Sequence, residues 1–257
     1  MRPIVLPILA GGLTLAAACD QHVSLGAIGD GGAAVLWRGT FERGDLSEWT
    51  SDGNGGARVE SAPAMFAATQ AVVHTGRYAG VGSTAPVMAM DSLNYLYRAE
   101  PSPSEAYYSA WFYIPSPIAV GSWLSLHHFR GSTVGSPNDL TGIWDLNLYM
   151  LPGGGLAAQL GDFVQSFNLR QTVPMPVPLD TWVHFEVYLR KASDTTGRVS
   201  VWQDGQLILD RPNVVTARSP LVIWEVGTGS DDVTPSPAAV YVDDAAISLV
   251  RLGPIPN

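Results

Sequence analysis

The chain has 257 residues, 46% of them hydrophobic, and a formal net charge of −9. That apolar share supports a sizeable core and excludes wholesale disorder. Only 14 Lys and Arg are present, without a basic cluster, which excludes nucleic acid as a partner because neutralising phosphates needs a basic footprint. The acidic balance also works against tight binding of a strongly anionic polymer, except through a local patch.

In chain order, Met1-Arg2 is a short positive end, residues 4–18 form an apolar run, and Ala16-Ala17-Ala18-Cys19 closes it. Such a run is short for a transmembrane helix and right for a signal-peptide core. The segment Leu15-Ala16-Ala17-Ala18-Cys19 resembles a bacterial lipobox, with Ala16 where that family most often has Leu. The resemblance implies lipidation of Cys19; an ordinary secretory signal with an Ala-x-Ala cut is the alternative. Residues 1–18 are thus expected to be a lipoprotein signal peptide, and 19–34, rich in Gly and Ala, a flexible tether. Both readings place the mature chain outside the cytoplasm. Cys19 is the single cysteine, so an intramolecular disulfide is excluded.

From residue 35 onward, short apolar and β-branched runs recur between turn clusters. Strands are expected at 36–41, 57–60, 78–83, 94–98, 107–114, 122–130, 143–150, 156–160, 183–189, 199–203, 206–209, 221–226 and 239–250. Breakers separate them, among them Asp52 to Gly56, Pro152 to Gly155 and Pro174 to Pro178. A weak helical pattern covers 64–72. The clearest stretch runs from Trp182 to Asp210. Val183, Phe185, Val187 and Leu189 alternate with Trp182, His184, Glu186, Tyr188 and Arg190, the pattern of a half-buried strand. Further on, Asp204-Gly205 between two strand-like runs predicts a hairpin, since a type I′ turn needs positive φ at both central positions. The fold class is therefore all-β, a two-sheet antiparallel jelly-roll sandwich over residues 35–252, with 253–257 as a tail. The chain ends of a sandwich tend to be neighbours, so Glu42 near its start and Asp243-Asp244 near its close are expected to meet. Together they offer oxygen donors to one hard cation.

The segments TFERGDLSEW, HTGRYAG, EAYYSAWFYIPS, SWLSLHHFRG, WDLNLYM, PLDTWVHFEVYLR, GRVSVWQDGQLILD and AVYVDDAAI resemble the concanavalin A-like jelly rolls. Within these, the resemblance is to bacterial polysaccharide lyases of the heparin-lyase and glucuronan-lyase kind. It implies two curved sheets with a glycan groove on the concave face. It also implies a structural calcium, carried onto Glu42 and Asp244 with Asp243 as the alternate. Lyases of this kind remove the proton beside a uronate carboxyl and break the glycosidic bond by elimination. The family's Gln-x-His pair falls at Ser125-Leu126-His127 or Leu126-His127-His128, without the glutamine. Its Tyr-Lys-x-Tyr strand falls near residues 221–225, which carry Trp224 and Glu225 instead. The catalytic set that remains is Arg98, a histidine at 127 or 128, and Tyr149. Two carboxylates flanking a bond, as a hydrolase requires, find no support, because 143–150 carries only Asp145.

In a regular strand Trp123, Ser125, His127 and Phe129 share one side, and Leu124, Leu126 and His128 the other. That places His128 toward the core or its edge and His127 toward the polar-aromatic face, so that His127 joins Arg98 and Tyr149 as the expected catalytic residues. Trp182, His184 and Trp123 are the expected substrate-binding residues, since aromatic faces stack on sugar rings. The histidines lack metal-ligand spacing, which argues against zinc. The function expected is that of a monomeric, lipid-anchored cell-envelope protein, or a secreted one, that binds a polysaccharide. The alternatives are an active lyase on uronate glycans and a surface protein-binding module.

Overall fold

The computed structural model describes residues 34–50, 66–86, 92–133, 136–163, 166–219 and 221–254. The signal peptide, Cys19, nearly all of the tether and the expected strand at 57–60 lie outside them.

Among the described residues seventeen strands follow in order: β1 Val35–Gly39, β2 Ala67–Thr69, β3 Ala79–Thr84, β4 Ser92–Arg98, β5 Glu105–Tyr113, β6 Ala119–Val120, β7 Leu124–Thr133, β8 Ser136–Met150 and β9 Leu156–Asp162. They continue with β10 Phe167–Arg170, β11 Pro176–Val177, β12 Trp182–Arg190, β13 Gly197–Gln203, β14 Gln206–Val214, β15 Leu221–Ser230, β16 Val233–Thr234 and β17 Ala238–Ser248. Sheet I runs β14-β13-β12-β5-β17-β3-β2, with β1 also on β17; sheet II runs β10-β9-β8-β7-β15-β4, with β11 on β9. The two pack as an antiparallel sandwich. The first and last strands are neighbours, Trp37 opposite Ile247 and Arg38 opposite Ala246.

Period-two alternation builds the core. Val183, Phe185, Val187 and Leu189 of β12 are fully buried in one cluster with Leu124, Phe129, Leu146 and Leu148 of sheet II. Rings lock the two layers: Tyr108 of β5 meets Phe129 edge-on at 5.1 Å and Trp224 at 5.4 Å. The Asp204-Gly205 turn has φ of 48° and 82°, as a type I′ hairpin needs, and joins Gln203 to Gln206.

Two expectations change. Residues 67–69, within the expected helix, form β2, where Ala67 pairs with Val81 and Thr69 with Ala79. Sheet pairing overrides a weak helical pattern. The strand expected to stop at Val226 runs on through Gly227-Thr228-Gly229-Ser230. Its glycines serve close packing: a Cβ on Gly227 would stand 2.3 Å from the Asn94 carbonyl oxygen.

Candidate active site

The face of sheet II turned away from the core is polar and largely shielded from water. Along β8, Trp144, Leu146 and Leu148 enter the core, which leaves Asp145, Asn147 and Tyr149 on the opposite side. From β9 the same rule presents Gln159 and Gly161, from β15 Glu225, and from β4 Tyr95. Gly161 keeps this floor open, since a Cβ there would lie 3.2 Å from Asn147 Nδ2 and 3.4 Å from Asn168 Oδ1.

Strand β7 contributes through an irregularity. Its register against β8 shifts between Ser125 and His127, a β-bulge with one extra residue. Leu124 and Leu126 point inward, and after the bulge His127 and Phe129 point inward as well. Ser125, His128 and Arg130 are left on the polar face. The expectation for His127 is therefore reversed. Its ring is fully buried, stacked on Trp224 at 5.7 Å and edge-on to Phe112 at 5.1 Å. Trp224 Nε1 donates to its Nδ1 at 2.9 Å, and burial pushes its pKa down to about 3. A neutral imidazole spent on a core hydrogen bond is structural.

His128 takes the exposed role. Its side chain is 15% accessible, with Nε2 3.2 Å from Asp145 Oδ1 and Nδ1 3.2 Å from Glu225 Oε2. Arg130 closes the row, its Nη2 donating to Glu225 Oε1. Tyr95 meets the imidazole edge-on at 5.7 Å, and half-exposed Phe163 stacks on it at 6.1 Å. Burial holds Glu225 up at about 8, the Arg130 charge opposing it. Asp145 is held well above the usual carboxylate range, first by burial and then by the Glu225 charge. Tyr95 likewise holds its proton beyond the ordinary phenol range, through burial and the Asp145 charge. The result is a row of Asp145, His128, Glu225 and Arg130 whose two carboxyl groups are both held above their usual range.

The other expected residues scatter. Tyr149 lies on this polar face, with the Arg170 guanidinium 4.1 Å above its ring. Arg98 does not. It sits opposite Trp224 at the core side of β4, 5.3 Å over Trp37, with Nη1 donating to the Glu48 carbonyl. Trp123 precedes β7 and is partly buried. Trp182 and His184 belong to β12 and so to the outer face of sheet I, on the far side of the sandwich. There His184 packs 5.1 Å from Trp111, and burial pushes its pKa down to about 4, helped by the Arg251 charge. Trp182 leans on His74 and Tyr113. Asn147, Gln159 and Arg130 are not among the expected residues, and Asp145 and Glu225 enter the sequence reading only as departures from known catalytic patterns; the signal of all five is the polar letter at alternate positions of otherwise apolar strands.

The carboxylates expected to hold a metal gather around one loop. Asp243 Oδ2 accepts from the His74 and Thr75 amides at 3.0 and 3.2 Å, and Asp244 accepts from His74 Nδ1 at 2.7 Å and from Thr75 Oγ1. Glu42 Oε1 accepts from the Arg77 and Tyr78 amides at 2.7 and 3.1 Å. Burial, then the adjacent Asp244 charge, raises Asp243 to about 7. Among the described residues, no three His, Cys, Asp or Glu side chains are grouped as a metal site.

A family model described as polysaccharide lyase matches residues 41–245. Among solved structures, an endo-β-1,4-glucuronan lyase from the fungus Trichoderma reesei is similar with a TM-score of 0.63 at 15% identity, covering 84% of this chain and 96% of its own. The cellulose-induced protein Cip1 gives 0.61 at 15% identity, covering 85% and 99%. The PL-14 alginate lyase from Aplysia kurodai gives 0.55 at 10% identity, covering 86% and 100%. At such identities the likeness is one of fold. No curated protein matches the sequence.

Proposed function

The chain belongs to the polysaccharide lyase family, and from that premise we propose that it binds a uronate-bearing polysaccharide on the polar face of sheet II and cleaves it by β-elimination. The observation that carries this reading is the row Asp145, His128, Glu225, Arg130, held dry on the side of the sheet that packing leaves free. Burying such groups costs stability, and strongly shifted acids in a row are a mark of function.

Elimination requires a proton acceptor near the carbon beside the carboxyl, a group that offsets the carboxylate charge, and a donor to the leaving oxygen. His128, the accessible member of the row, accepts the C5 proton. The electron pair of that C–H bond becomes the C4–C5 double bond as the C4–O bond breaks. Glu225, neutral at pH 7, and Arg130 beside it stabilise the charge that develops on the uronate carboxyl. Tyr95, which keeps its proton, gives it to the departing oxygen. Tyr149 stands four residues from Asp145, roughly 13 Å along the strand, and so flanks the reacting sugar rather than serving it.

The test is ultraviolet absorbance of unsaturated uronate while the domain is mixed with a panel of uronate polysaccharides. A rise that His128→Ala reduces at least ~100-fold supports elimination. A flat trace with retention on the same polymers leaves a binding module and sinks the lyase reading.

Two accessory features belong to this proposal. Export with a lipid on Cys19 rests on the apolar run ending there, and fatty-acid labelling that survives Cys19→Ser would refute it. A structural calcium rests on Asp243, a buried carboxylate beside a second one, with Glu42 at the other end of the same loop. It takes no part in the chemistry above. A melting curve unmoved by chelator, with no metal found in the protein, removes it.

A further inference from the structure

We infer that Arg170 is a specificity-determining residue that reads a second substrate carboxylate, so that this site selects polymers with closely spaced uronates over those with isolated ones. The inference rests on the reading of the polar face as the glycan site.

Arg170 ends β10, the edge strand of sheet II, and is exposed. It faces the same side as His128, because Asn168, two residues earlier, approaches the Gly161 position together with Asn147 and Asp145. Two contacts fix its direction across the face. Nε donates to Gln159 Oε1 at 2.8 Å, and the guanidinium lies 4.1 Å over the Tyr149 ring. Gln159 itself is buried, so the brace is rigid. Nε is thereby spent, while the two terminal nitrogens have no partner among the described residues. An exposed guanidinium braced by these two contacts is prepared to take a carboxylate by two parallel hydrogen bonds, with part of its ordering entropy already lost.

Its place sets what it reads. Gln159 pairs with both Arg170 and Asn147, and Gly161 pairs with Asp145. The guanidinium thus sits between the levels of Asn147 and Tyr149, roughly 7–13 Å along the strands from Asp145, a span of about two sugar rings. A carboxylate reaching it belongs to a sugar beyond the one being cleaved. In a chain of net charge −9, an outward cation at that distance admits anionic polymer where the overall balance would repel it.

The experiment compares a homopolyuronate with the same polymer after partial carboxyl reduction, which leaves isolated uronates. The native protein should show at least a ~10-fold lower KM on the homopolyuronate, about what one charge-assisted contact supplies. Arg170→Gln should raise KM on that polymer by about the same factor and erase the preference, with a smaller change in kcat. Arg170→Lys should recover part of it, since charge persists without the fork. An unchanged KM in Arg170→Gln, or equal loss on both polymers, overturns the inference. Calorimetric binding of the homopolyuronate to His128→Ala, with and without Arg170→Gln, gives a readout free of turnover. If neither polymer is cleaved, the elimination reading fails, and this arm still decides the role of Arg170.

Discussion

The two outer faces of the sandwich carry similar letters and opposite chemistry. On sheet I, Glu186 is wholly buried, yet it accepts from Arg251 Nε at 3.0 Å and from the Leu252 and Gly253 amides at 2.7 and 3.4 Å. Arg251 in turn lies over Trp202 at 4.6 Å. The C-terminal segment has closed that carboxylate with three donors. On sheet II, Glu225 is as deeply buried but shares its surroundings with a second acid, a histidine and one arginine, and its pKa rises to about 8. A buried acid with donors in surplus is architecture. One that must share its proton is poised for chemistry.

The sharpest way to break this comparison is to substitute the adjacent histidines separately. His128→Ala should lower kcat at least ~100-fold, with the melting temperature nearly unmoved. His127→Ala should do the reverse. It leaves the Trp224 indole N–H without its acceptor in a filled core, which costs about 2–4 kcal/mol from the orphaned donor and the cavity together. Calorimetric melting and steady-state kinetics on both variants decide the matter, and activity lost through His127 rather than His128 would refute the assignment of faces.

A subtler probe is pH. Folded Glu225 keeps its proton to about 8, whereas the unfolded chain releases it near 4.5. Its contribution to stability is therefore full below 4.5 and is lost as pH rises toward 8, by at most ~1.4 kcal/mol per unit. Glu225→Gln cannot ionise and keeps that contribution. The stability of the native protein relative to this variant should decline across that window in denaturant titrations; a constant difference would show that the acid is not held protonated. His127, whose pKa is depressed, works in the other direction, its contribution being lost as pH falls below 6.5, and it cancels in the difference.

The smallest effect is expected from Trp182→Ala. Since Trp182 lies on sheet I, KM for soluble substrate should stay within about twofold, as for a change remote from the site. A large rise would mean that the glycan reaches the aromatic face.

Much of the fold was legible because alternation and turn chemistry are local. The β12 pattern and the Asp204-Gly205 turn needed only neighbouring letters. Gly227 to Ser230 misled because a glycine-rich run is read as a turn, and only the approach of β4 shows why glycines stand in a strand. The polar face of sheet II was legible in its alternating letters, and the facing of individual side chains was not. Asp145, Asn147 and Tyr149 announce a polar face by their spacing, but the choice between His127 and His128 depended on a bulge without a sequence mark. Trp182 and His184 were placed with His127 because alternation distinguishes two sides of a strand without saying to which sheet the strand belongs.

That bulge alters what mutation can do to this protein. Between Ser125 and His128 the chain carries one residue more than alternation requires. Excising Leu126 would restore a regular strand and leave Ser125 and His128 outside and His127 inside, at the expense of one core leucine. A shortening that would flip the faces of a regular strand is silent here as regards orientation. A Ser-x-His spacing and the Ser-x-x-His spacing of this chain can therefore present the same two positions to the same face of the sheet.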